Sequence, residues 1–162
     1  MNGLQKEVLD LLVRDARLTG KEISALLGVS EAEVNSCVEA LEKSGAIIGY
    51  TAIVNGEKTE ASLVEALIEV KVTPKSVEGF DGIAKKIAEF PEVKGVYLMS
   101  GAYDLAVFLE DASLQKVARF VSERISTFEG VISTATHFIL KKYKIEGALT
   151  EKDGDRRLLV QA

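Results

Sequence analysis

A single cysteine, Cys37, excludes an internal disulfide framework, and with only one histidine, His137, there is no cluster to hold a transition metal. The phosphate-cradling Gly-x-x-x-x-Gly-Lys-Ser/Thr loop and the dinucleotide Gly-x-Gly-x-x-Gly run are both missing. A Ser/His or Cys/His catalytic pair would have to use His137, which falls mid-strand and reads as a half-buried strand histidine. None of the 25 acidic residues is singled out for acid–base work, so no catalytic residue, metal or cofactor is expected and the chain does not read as an enzyme. The longest mostly apolar stretch, GAIIGYTAIV, is far short of the roughly 20 residues a bilayer span requires. The N-terminal MNGLQKEVLDLLVRD lacks the basic-then-apolar pattern of a signal peptide, so the expected location is the cytoplasm, with no membrane partner. Basic charge is scarce as well. Lys and Arg number 20 against 25 Asp and Glu, and the net charge of -5 argues against a protein that coats nucleic acid without specificity.

What is there is patterning. With 162 residues, 47% of them hydrophobic, the chain can bury a core in one medium domain or two small ones. Leu4, Val8, Leu11 and Leu12 recur at helical spacing and give a first helix with one buried stripe. In TGKEISALLG, Thr19 and Glu22 form a capping-box pair, Ile23, Leu26 and Leu27 make an apolar face, and Gly28 suits the left-handed residue that stops a helix. Ser30 and Glu33 open a third helix in the same way, and Val34, Val38 and Leu41 line it until Gly45. Cys37 lies beside that stripe as a small packed residue. Only Gly28, Val29 and Ser30 separate the two helices, a spacing shared by the helix-turn-helix and by an ordinary three-helix packing unit.

After Gly45 the period changes, and AIIGYTAIVN has the β-branched and aromatic residues of a short strand pair or wing. NGEKTEAS then interrupts the apolar pattern. LVEALIEVKVTP alternates, with Val64, Ala66, Ile68, Val70 and Val72 on one face, and Pro74 ends it. Val77, Phe80, Ala84 and Ile87 predict a helix; VKGVYLMS and LAVFLE predict two strands joined by GAYD. Leu114, Val117, Val121, Ile125 and Phe128 predict a second helix, and VISTATHFIL a last strand. The order β-α-β-β-α-β is that of a ferredoxin-like sheet with both helices on one face. The expected fold class is therefore α+β, a winged helix-turn-helix domain followed by a ferredoxin-like domain. Residues 1–53 form the first, 54–63 a linker and 64–162 the second. The uncovered sheet face calls for a second copy of the chain.

Two segments carry recognition chemistry. In SGAYDL, Gly101 permits a backbone conformation other residues avoid, Tyr103 adds an aromatic wall and Asp104 a carboxylate. In GVISTAT, Thr134 and Thr136 project from one face of the last strand. A free amino acid needs an acceptor for its ammonium group, donors for its carboxylate and an apolar wall, and the two segments supply all three.

With its helix-turn-helix ending in LEKSGAIIGYTAIVN, GAYDL in the central hairpin and GVISTATHFILKKYK as the last strand, the chain resembles the Lrp/AsnC (feast/famine) transcriptional regulators over nearly its whole length. The resemblance implies a homodimer, often assembled into an octamer, that binds double-stranded promoter DNA and senses a small effector, commonly an amino acid. By motif, it assigns effector binding to Gly101, Tyr103, Asp104 and Leu105 with Thr134 and Thr136, while Gly130 and Val131 shape the turn into the last strand. One stretch departs from the pattern. Where family members commonly read Arg-Ile-basic-Arg-Leu-Glu, this chain reads Cys37-Val38-Glu39-Ala40-Leu41-Glu42. Through Lys43 the helical domain has five basic against eight acidic residues. Glu31 and Glu33 suit the positive end of a helix, whereas Glu39 and Glu42 have no such reason to be there. Asn35 and Ser36 face outward and can pair with base edges, and phosphate contacts would come from Lys21, Lys58 and the wing near Tyr50. Ser30, at the start of that helix, and Glu39, on its outer face, complete the expected DNA surface.

Two rival readings stand beside this one. The acidic third helix fits an effector-binding assembly protein that has lost DNA affinity. The same two-domain architecture also occurs in siroheme decarboxylase subunits, although those would be expected to offer histidines to a tetrapyrrole and this chain has only His137.

Overall fold

The computed structural model describes residues 1–59, 63–73 and 79–151. The chain divides into two compact units, the first Met1–Ile53 and the second from Val54 onward.

In the first unit each helix begins where a side chain can satisfy the orphan amides of its first turn. Helix α1 spans Gly3–Arg14, α2 Gly20–Leu27 and α3 Glu31–Lys43, and each opens on a complete capping box. The Thr19–Glu22 and Ser30–Glu33 boxes are those read from the sequence; Asn2 with Gln5 forms a third that went unread. Gly28 stops α2 at φ 68°, and the amides of Gly28 and Val29 both return to the Ser24 carbonyl. The core gathers Val8, Leu12, Ile23, Val34, Cys37 and Leu41. Leu26 does not join it and is 63% exposed: α2 is only 8 residues long and buries Ile23 against α3, which turns Leu26 to the flank.

The expected wing is absent from the single chain. Residues 46–55 hold neither strand nor helix, and Ile48 is 98% exposed. A strand exists only where a neighbour completes its ladder, and no other described segment pairs with this one.

In the second unit, strands β1 (Val64–Val72), β2 (Val93–Leu98), β3 (Leu105–Asp111) and β4 (Val131–Phe138) form an antiparallel sheet in the order β2-β3-β1-β4. Helices α4 (Gly79–Ala88) and α5 (Leu114–Glu123) supply its core partners. The alternation of β1 is realised directly: Ala66, Ile68, Val70 and Val72 are buried with Leu105, Val107 and Leu109 of β3, Ile87 of α4, and Val117, Phe120 and Val121 of α5. Phe120 was not foreseen; its ring meets Phe90 edge-on at 5.1 Å. Leu114, expected inward, is 49% exposed because it is the first residue of α5, one turn before the buried stripe. Ile125 reaches the core from a following 3-10 turn, Ile125–Thr127. Pro74 and Val77 lie outside the described residues, as do 60–62 of the segment read as linker. Of that segment, Asn55 donates its side-chain amide to the Thr150 carbonyl at 3.0 Å and Gly56–Lys58 form a 3-10 turn. A two-residue hairpin, β5 (Lys144–Ile145) and β6 (Ala148–Leu149), was not read from the sequence; Glu146 and Gly147 both take positive φ at its turn.

Register places Leu67, Glu69, Ala106, Phe108, Tyr97, Ala135 and His137 on the opposite sheet face. Among the described residues no element of the second unit covers this face. The Tyr97 ring lies over Gly95, where a Cβ would come within 2.9 Å of it, and stands edge-on to Phe108 at 5.7 Å. His137 is exposed here, not half-buried as expected, and its Nε2 approaches Glu69 at 3.3 Å; β4 is an edge strand, so nothing shields that side of the ring.

Candidate functional site

Helix α3 carries its acidic residues for separable reasons. Glu33 accepts from the Ser30 hydroxyl at 2.7 Å and from the Ser30 amide at 2.9 Å, and these bonds, the hydroxyl first, hold its carboxyl below its ordinary value. The backbone amide of Thr19, then its hydroxyl, does the same for Glu22. Ser30, expected at the DNA, therefore has its hydroxyl engaged within its own helix cap. Glu42 also has a partner, contrary to the sequence reading: it accepts the Tyr50 hydroxyl at 2.9 Å, tying down the segment that leaves α3. Burial first, then Glu42, pushes the Tyr50 phenol upward. Asn35, Ser36, Glu39 and Lys21 are exposed, and Glu39 makes no hydrogen bond or ion pair among the described residues. The Asn35 carboxamide oxygen points at Gly20, the first residue of α2. Lys58 belongs to the second unit, in the exposed 3-10 turn.

The caps predict an acid response. A carboxylate with a lowered folded value contributes stability that is complete above its unfolded value and is lost as pH falls through the folded one. The amide resonances of Thr19 and Ser30 are thus expected to stay at their capped positions from neutral pH to below 4.5, and to move only as Glu22 and Glu33 protonate at lower pH. An NMR midpoint at or above 4.5 would show that the boxes do not persist in solution.

The hairpin between β2 and β3 is held by its own backbone. The Met99 amide donates to the Asp104 carbonyl at 2.8 Å, and the Asp104 amide to the Val70 carbonyl at 3.1 Å. One Asp104 carboxylate oxygen, Oδ2, accepts the Val72 amide at 2.8 Å. The side chain thereby replaces a ladder partner at the end of β1, where the β1–β4 register shifts between Lys71 and Val72. Gly101 does not behave as expected: its φ is not positive and a Cβ there would meet nothing within 4 Å. The glycine that needs its freedom is Gly130, at φ 94°, where a Cβ would press on the Thr73 carbonyl at 3.1 Å. Its own carbonyl accepts the Thr73 amide at 2.8 Å, which sets the turn into β4.

Tyr103 and Asp104 are half-buried beside the hairpin, while Leu105 is wholly buried in the core, so its side chain anchors the loop from within. Thr134 and Thr136 face the helix side opposite Val70 and Ile68, and Thr134 lies 3.3 Å from the Ser126 hydroxyl. The two effector segments are not neighbours. They flank β1 on opposite sides, about two strand spacings or roughly 10 Å apart. One amino-acid backbone is too short to bridge them within one chain. Sequence reading also missed an open cleft of ≈ 580 Å³ at the other end of the sheet, lined by Asn55, Leu63, Glu65, Glu110 and Lys142. Two of its acids are already paired, Glu65 with Lys142 and Glu110 with Lys94.

A helix-turn-helix followed by a ferredoxin-like unit with this hairpin fits an effector-modulated, DNA-binding transcriptional regulator, and both halves match domains of that class. Residues 1–48 match a winged helix-turn-helix DNA-binding model, and residues 65–149 match the Lrp/AsnC ligand binding domain. The chain belongs to the Lrp/AsnC family. It is 44% identical over 158 residues to the HTH-type transcriptional regulator YugG of Bacillus subtilis, covering 96% of this chain and 95% of that protein. It is 34% identical to the HTH-type transcriptional regulator LrpA of Pyrococcus abyssi, with 86% and 96% covered. Among solved structures, the transcriptional regulator NMB0573 of Neisseria meningitidis, in complex with L-Met, shares the fold at TM-score 0.70 and 22% identity, over 92% of this chain and 96% of that one. No helix among the described residues is long and apolar enough to cross a membrane.

Proposed function

We propose that this regulator reads promoter DNA through the outer face of α3, with Asn35 and Ser36 at base edges and Lys21, Lys58 and the Tyr50 segment near phosphates. A free amino acid bound at the hairpin between chains then alters its assembly. The observation that carries the reading is the exposure of Asn35, Ser36 and Glu39 side by side, while Glu33 and Glu42 are turned to structural work. The L-Met held by the Neisseria protein supports an amino acid as the effector class here. The roughly 10 Å between Asp104 and the threonines supports a site completed by a second chain, in a homodimer or a larger assembly such as an octamer. The reading needs no catalytic step or cofactor, and its place is the cytoplasm, where the promoter is.

The test is Glu39→Arg, read by titrating a duplex from the upstream region of its own gene at several salt concentrations. An added phosphate contact should tighten binding severalfold and steepen the slope of log K against log salt by about 0.9. Unchanged affinity and slope would mean that α3 does not lie against DNA and would favour the assembly protein without DNA affinity.

A further inference from the structure

We infer that Gly20 determines specificity on the DNA-reading surface, because its missing side chain lets the Asn35 carboxamide lie against α2 with its oxygen inward. The inference rests on the reading that α3 meets DNA. An ideal Cβ on Gly20 would collide with the Asn35 Oδ1 and stand 3.4 Å from its Cγ and 3.5 Å from the Glu31 Cγ. The Glu31 stem closes the neighbouring side, so the amide occupies the space a side chain at position 20 would fill. Gly20 is the first residue of α2, where unpaired amides give the helix its positive end. That end favours the carboxamide oxygen over its NH₂ group, so Nδ2 is left facing outward.

This orientation decides what Asn35 can read. Asparagine recognises adenine by using both ends of its amide, accepting from N6 and donating to N7. With Oδ1 turned toward α2, the side chain presents Nδ2 to the groove as a donor. Such a donor fits the acceptor edges of guanine, O6 and N7, or O4 of thymine, and forgoes the paired contact with adenine. Gly20 touches no base in this scheme; it is a positioning residue acting through Asn35.

The experiment is a double-mutant cycle on the full-length protein with Gly20→Ala and Asn35→Ala, selecting from a randomised duplex pool. Gly20→Ala should expel the amide and shift preference at one base position toward adenine by about tenfold, leaving the salt slope unchanged, and the shift should vanish in the Asn35→Ala background. A uniform loss of binding, or the same shift without Asn35, overturns the inference. Thermal melting supplies a readout without DNA. Alanine suits a helix better than glycine, so Gly20→Ala should raise Tm by a few degrees once Asn35 is truncated but not while it is present. Equal Tm shifts in both backgrounds overturn the Gly20–Asn35 contact itself, whereas a wild type that selects no sequence overturns the DNA reading on which the inference rests.

Discussion

Asp104→Ala is expected to weaken effector binding about ten- to a hundredfold and to loosen the end of β1 at the same time. The two effects have separate causes. Oδ2 satisfies the Val72 amide at 2.8 Å, and Val72 is only 5% exposed, so truncation leaves a donor that water reaches poorly, a loss of roughly 1 to 3 kcal/mol. In the proposed site the other carboxylate oxygen takes the ammonium group of an amino acid, a charge-assisted bond worth about 1.5 to 3 kcal/mol, which is the stated loss in affinity. Asp104→Asn separates them, because a carboxamide oxygen can still accept from Val72 but carries no charge. Melting temperature should fall for the alanine variant and hold for the asparagine variant, while calorimetric titration with the twenty amino acids should show weakened binding in both. A wild type that binds none of them removes the amino-acid proposal; equal binding by wild type and both variants removes only the role given to Asp104.

Phe108→Lys should convert the proposed dimer to monomers without unfolding it. Phe108 points away from the core, edge-on to Tyr97, on the sheet face that lacks a covering element among the described residues. If two copies meet there across a two-fold axis, every substitution is introduced twice and the new ammonium groups are buried near one another. Uncompensated charge at such an interface costs several kcal/mol, so dimer affinity should fall on the order of a thousandfold. Sedimentation at micromolar concentration, with circular dichroism to confirm the fold, gives the answer. An unchanged sedimentation coefficient would move the interface elsewhere.

Features that are local in the chain were legible in the sequence. The Thr19–Glu22 and Ser30–Glu33 boxes span three residues each, Gly28 lies at the helix end where a left-handed residue is needed, and the alternation of β1 survives intact as alternate burial. Features joined over distance were not. Asp104 is 32 residues from Val72, and no periodicity indicates that a hairpin carboxylate will stand in for a strand partner. Glu42 reads as surplus negative charge in the sequence, yet Tyr50, eight residues on, folds back onto it. Leu26 and Leu114 were misread for the opposite reason: their apolar character fits a local stripe, but the short α2 and the start of α5 turn them outward. The wing illustrates a third limit, since its residues have strand character but the ladder they need is not offered within one chain.

The bond between Tyr50 and Glu42 also limits how this regulator can be rebuilt. A basic helix transplanted whole into positions 31–43 keeps the chain beyond it only if it retains an acid at position 42 for Tyr50, and keeps its own cap only with one at position 33. Ser36 and Glu39 are open to exchange on their own, whereas Asn35 is yoked to Gly20. New operators are therefore reached by piecemeal substitution, and at position 35 by changes made in pairs.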